Sequence, residues 1–182
     1  MWFEIGGIKV SPQGALTFRQ TYLVEESAAV LRLAGGGAIK QYSWQKLAVS
    51  TQGTGRYPPG LDALDYSQPL LMLCAEPREV TGTSNVLTLP AARRVDAGFV
   101  PIAFALVTPD GGDGLLDPRW QPAEVAVAGD VATVTPVAGA VAYQVWYWPE
   151  ITVFATRPQQ DWSGQPAGSG HAFSWTLEAR EV

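Results

Sequence analysis

The chain has 182 residues, enough for one large domain or two small ones, and its apolar share of 47% excludes a disordered chain. Only 16% of it is charged, against roughly 25% in an ordinary soluble domain, and the formal net charge of −5 gives no general attraction to phosphate backbones or anionic lipid. Neither nucleic acid nor membrane is therefore expected as a partner, and with one His and one Cys against seven Trp, six Tyr and six Phe the chain is poor in catalytic groups and rich in anchors for assembly.

In chain order, Met1-Trp2-Phe3-Glu4-Ile5-Gly6-Gly7 lacks the basic and apolar regions of a signal peptide, so a soluble protein without a secretion signal is expected. Thr17–Tyr22 is rich in strand formers and follows the turn signal Ser11-Pro12-Gln13-Gly14. Val30–Leu33, the glycines Gly35-Gly36-Gly37 and Ala38–Tyr42 read as a hairpin, with glycine supplying the positive φ of the turn. A strand is predicted at Lys46–Thr51. Leu70–Ala75 is apolar enough to be buried on both faces. Between them Tyr57–Tyr66 has room for one helical turn at most. Cys74 is expected to be a buried hydrophobe, and a single cysteine excludes an internal disulfide, which fits assembly in a reducing cytosol.

A second set of strands is predicted at Val86–Leu89, Phe99–Val107, Glu124–Ala128, Val131–Val134 and Ala140–Trp148. The tightest feature is a hairpin over Val125–Val134 turning at Gly129-Asp130. In the last strand Tyr143, Val145 and Tyr147 share one face and Gln144, Trp146 and Trp148 the other, so both faces are expected to be covered. The run Phe99–Val107 is about half the length of a membrane-spanning helix. After Pro149 come strands at Ile151–Thr156 and Ala172–Arg180, separated by a loop Arg157–Gly170. Two strands cannot bury an apolar face alone, so this tail is expected to pair with strands before residue 80.

The expected fold is all-β, with two small sandwich-like or barrel-like domains. The preferred division is a discontinuous domain of residues 1–80 plus 149–182, with residues 81–148 inserted into it; one continuous β-domain is the plainer alternative.

No constellation points to an enzyme, a cofactor or a metal. His171, the only histidine, has no nucleophile elbow beside any serine. Asp110-Gly111-Gly112-Asp113-Gly114-Leu115-Leu116-Asp117 departs from calcium-loop spacing and reads as a solvated turn. Asp62 and Asp65, flanked by prolines, are expected to cap a short turn rather than to act as paired catalytic carboxylates. Gly35–Gly37 is followed by no Gly-Lys-Ser/Thr and is no phosphate loop. Arg93-Arg94 reads as a linker or interface contact. Trp120 and Trp162 each lie beside turn residues, and with Trp2 they are the candidate interface anchors.

The run Gly55–Leu70, leading to Leu73-Cys74-Ala75-Glu76-Pro77-Arg78, resembles a segment of virion structural proteins of tailed bacteriophages. Ala140–Pro149 is similar to a strand of the immunoglobulin-like or fibronectin-like inserts of phage tail proteins, and Phe173–Glu178 fits the same family. The resemblance implies a structural role in the tail or baseplate, in the virion after assembly in the bacterial cytoplasm. The implied partners are copies of the same chain and other phage tail proteins, in a ring of six-fold or three-fold symmetry. A carbohydrate-binding or small-ligand-binding β-sandwich using Trp162 and Trp120 is the alternative from a different class.

Overall fold

The computed structural model describes residues 2–108, 118–163 and 172–182. Among them there is no α-helix, only strands and one 3-10 turn at Leu61–Ala63, so the all-β class stands. The strands of the first half are β1 (Glu4–Ile5), β2 (Ile8–Lys9), β3 (Thr17–Arg32), β4 (Ala38–Gly55), β5 (Leu70–Leu73), β6 (Arg78–Gly82) and β7 (Val86–Thr88). Those of the second half are β8 (Ile102–Val107), β9 (Arg119–Ala123), β10 (Val125–Ala128), β11 (Val131–Val134), β12 (Ala140–Tyr147), β13 (Glu150–Ala155), β14 (Gln159–Ser163) and β15 (Ala172–Glu181). Internal packing divides the chain into two compact units: a central unit of residues 73–151 and a split unit of residues 2–72 with 152–182.

The split unit is one sheet in the order β2-β1-β5-β13-β15-β4-β3, with β14 added beside β15. The tail strands do pair with strands from before residue 80, β15 with β4 and β13 with β5. Alternation sets one face inward: Gln20, Leu47, Val49, Thr51, Trp175, Leu177 and Ala179 are all buried. The sheet rolls so that this face closes on itself. Phe3, just before β1, lies 5.7 Å from the ring of Phe18 in β3 and 6.2 Å from that of Trp175. Trp175 donates its indole N–H to the Gly14 carbonyl at 2.8 Å and lies flat over Gly53, where a Cβ would sit 2.6 Å from the ring. Only glycine leaves room for that ring.

In β5 the structure corrects the expectation of burial on both faces. Leu70 and Met72 point inward and Leu71 is exposed, because a rolled sheet covers only its inner face. The segment expected as a loop over residues 157–170 instead starts with β14, whose residues Gln159–Ser163 pair with Thr176–Ala172 of β15. Ladder pairing holds this polar stretch extended, not its own hydrophobicity.

The central unit is a sandwich of a three-stranded sheet, β10-β11-β7, and a four-stranded sheet, β6-β12-β8-β9. Its core draws Leu87, Ala132 and Val134 from one sheet and Ala103, Ala105, Tyr143, Val145 and Tyr147 from the other. The hairpin of β10 and β11 turns at Gly129, whose φ of 61° is the left-handed conformation the turn needs. The expectation of two covered faces at Tyr143–Trp148 holds in part: Trp148, just past β12, is buried, whereas Trp146 is 36% exposed on the outer face beside the Phe104 ring at a centroid distance of 5.2 Å.

Arg94 is a further correction. Read with Arg93 as a linker or interface contact, it is 1% exposed and bridged to Asp96 at 2.6 Å. It donates to the Cys74 carbonyl at 2.8 Å and lies 3.4 Å over the Phe99 ring. A buried guanidinium persists only where such partners replace water. Cys74 beside it is fully buried, as expected.

Candidate assembly interface

The most exposed apolar surface among the described residues is built by β3 and β4. Both run on far past the body of the sheet. Residues 17–24 of β3 and 47–54 of β4 belong to it; residues 25–32 and 38–46 continue outward as a two-stranded ribbon around the Leu33–Gly37 turn. Gly36, with φ 82°, makes the turn, and the Leu33 N–H closes it on the Gly37 carbonyl at 2.8 Å. A bulge at Ser43 shifts the register between Ser27 and Ala28.

Cross-strand partners share a face, so the register sorts the side chains. One face of the ribbon carries Ser27 with Trp44, Ala29 with Gln41 and Leu31 with Ile39; the other carries Ala28 with Tyr42 and Val30 with Lys40. Val30, Leu31, Leu33, Ile39, Tyr42 and Trp44 are between 48% and 62% exposed. Each edge is open too. β3 ends the sheet order, and the pairing of β15 with β4 stops at Ala48, so among the described residues no strand borders either side of the arm. The β3 sequence from Thr17 to Arg32 contains no Pro or Lys, and within the arm its uncharged stretch Ser27–Leu31 carries none of the charges that ordinarily block such an edge. On the arm β3 carries Glu25, Glu26 and, next to the turn, Arg32, while β4 carries Lys40 and Lys46; Lys40 pairs with Glu26 at 2.9 Å, and at the base Glu25 faces Arg180 and Lys46 donates to the Val182 carbonyl.

At the base of the arm the outer sheet face holds a shallow depression of about 450 Å³, lined by Leu23, Glu25, Ala48, Phe154, Glu178 and Arg180. Arg180 and Glu25 approach to 3.5 Å across it.

The three tryptophans singled out from sequence are all exposed but occupy separate elements. Trp2 precedes β1, Trp162 lies on β14 and Trp120 on β9 of the central unit, so the latter two sit in strands, each one residue from a strand end. Trp162 stacks on Phe173 with centroids 5.4 Å apart and an interplanar angle of 20°. Sequence reasoning passed over Tyr42, Trp44, Leu31 and Ile39. The signal that could have found them is the large apolar and aromatic residues at Val30–Leu33 and Ile39–Trp44, close on either side of the triple glycine.

Of the groups weighed for chemistry, Asp62 lies in the 3-10 turn Leu61–Ala63 and Asp65 just after it. Asp65 accepts hydrogen bonds from the Ser67 hydroxyl at 2.6 Å and backbone N–H at 3.0 Å, which hold its carboxyl below the ordinary aspartate range. Asp62 accepts from Gln160 at 3.1 Å. Burial pushes the Tyr66 phenol upward, the Asp62 charge adds to this and Arg157 opposes it. His171 and the Asp110–Asp117 stretch lie outside the described residues. Among the described residues no group of three His, Cys, Asp or Glu is placed to hold a metal ion, and no helix is long and apolar enough to cross a membrane. No protein-family model matches the chain, and no curated protein matches its sequence.

Proposed function

We propose that this protein is a structural subunit of a bacteriophage tail, in the baseplate, the distal tail or a connector on the tube, and that it works by symmetric protein–protein assembly without catalysing a reaction. The observation that carries the assembly half is the arm, with apolar residues on both faces and no bordering strand. An isolated two-stranded hairpin is marginal in water, and an open edge with an uncharged apolar stretch such as Ala28–Leu31 invites pairing. A surface of this kind fits a part that is covered in its working state.

The phage half rests on the resemblance of Gly55–Arg78 and Ala140–Pro149 to tail proteins. The chain path of the central unit supports an immunoglobulin-like reading: it crosses between sheets from β7 to β8, β9 to β10 and β11 to β12, with hairpins at β8–β9 and β10–β11. It departs from that pattern in one respect. The edge strand beside β12 is β6, supplied by the chain on its way in rather than on its way out.

Mass spectrometry of purified phage particles tests the reading. The chain is expected in the tail fraction in several copies per particle; absence from the particle overturns it. The ligand-binding alternative has one observation of its own, the exposed Trp162 stacked on Phe173, and saturable binding on a glycan array would favour it.

A further inference from the structure

We infer that the arm is the contact between copies, and that copies join head to tail: the outer edge of β3 in one arm pairs with the outer edge of β4 in the arm of the next copy. This rests on the symmetric-assembly reading above and names the surface that performs it.

Three observations select this occupant. Both edges of the ribbon are open, among the described residues, over residues 25–32 and 38–45. A two-fold β3-to-β3 contact would satisfy one edge and leave β4 open in each copy, whereas a head-to-tail contact uses one edge of each kind and closes into a ring with none left over. The net charges agree, since the β3 stretch with Glu25, Glu26 and one opposing Arg32 meets the β4 stretch whose only charges are Lys40 and Lys46. The Lys40 ammonium, paired with Glu26 of its own hairpin, then also faces the acidic strand of its neighbour. Finally, Leu31, Ile39 and Trp44 lie on one face of the ribbon. Side-by-side arms would bring these exposed rows together into a continuous apolar band.

The polarity of the contact can be read directly. Ala29 and Gln41 stand opposite each other in one hairpin, both exposed, and the native Cys74 is fully buried, so introduced thiols on the arm report alone. Ala29→Cys and Gln41→Cys chains, each otherwise full-length, are co-expressed with different tags, concentrated and treated with a short bis-maleimide. The expected product is a covalent dimer holding one chain of each kind. In parallel, native mass spectrometry follows wild type, Glu26→Lys and the exchanged variant Glu26→Lys/Lys40→Glu. The single change is expected to weaken association at least about tenfold, and the exchange to restore it, because all its pairs are complementary again.

Dimers of Ala29→Cys with itself would mean β3-to-β3 pairing and overturn the inference. Intact oligomers that give no mixed dimer would place the contact elsewhere, overturning the inference while leaving symmetric assembly standing. A wild-type chain that stays monomeric at the highest attainable concentration would overturn both.

Discussion

Trp175 shows how one side chain fixes its neighbours. Its ring lies where a side chain at Gly53 would be, and its N–H fixes the Gly14 carbonyl. Gly53→Ala forces the ring or the strand to move and should cost on the order of 1–3 kcal/mol in urea unfolding. Gly35→Ala, at a position with open space around it, should stay within about 0.5 kcal/mol. Equal effects would show that the Trp175 site relaxes freely. Tyr147 gives a pH prediction. Burial raises its phenol above the ordinary 10.0, with Arg78 pulling the other way. A raised pKa means that the folded chain holds the proton longer than the unfolded one. The stability this gives is complete below pH 10 and is lost as pH rises from there through the folded pKa. Tyr66 acts in the same sense. Urea unfolding at about pH 8 and about pH 11 should therefore show alkaline loss in wild type and a smaller loss in Tyr147→Phe; identical loss would exclude Tyr147 as a source.

At the scale of elements, the sequence was legible wherever burial imposed alternation. The hairpin of β10 and β11 and its turn at Gly129, the inner face of β12 and the triple-glycine turn were all readable, because hydrophobic period and glycine placement are local properties. What could not be read were strands made by their neighbours. Arg119–Ala123 contains Pro122 and Gln159–Ser163 is mostly polar, yet each is extended because β8 or β15 offers it a ladder. The hairpin at the tip of the arm was readable, but its continuity with the sheet was not: Glu25-Glu26-Ser27 interrupts the apolar pattern in mid-strand, and the cross-strand register shows that β3 and β4 run through. Because the arm buries little within its own chain, removing it should leave the fold intact. Replacing residues 28–43 by an Asn-Gly turn joining Ser27 to Trp44 is expected to keep the thermal midpoint within a few degrees while abolishing association on a sizing column. A collapse of the midpoint would show that the ribbon stabilises the monomer.

At the scale of the whole molecule, the boundaries of the two compact units, after Met72 and after Ile151, fall inside β5 and β13. These strands are neighbours in one sheet, so the chain leaves the split unit and returns to it through adjacent positions. The Cys74 N–H reaches the Pro149 carbonyl at 3.0 Å, a separation that a two-residue hairpin turn can span. The split unit has about a hundred residues and its own rolled core around Trp175, Val49 and Leu177, a size at which single domains fold alone. It also carries the whole arm. Replacing residues 75–148 by Asn-Gly should therefore yield a chain that unfolds cooperatively and still associates like the full protein. If that shortened chain is unfolded, the two units depend on each other for stability. If it folds but no longer associates, the contact between copies needs the central unit, and Trp120 on β9 becomes the residue to truncate next. Retained association would assign assembly to the split unit alone, and would leave the central sandwich free to meet a different partner.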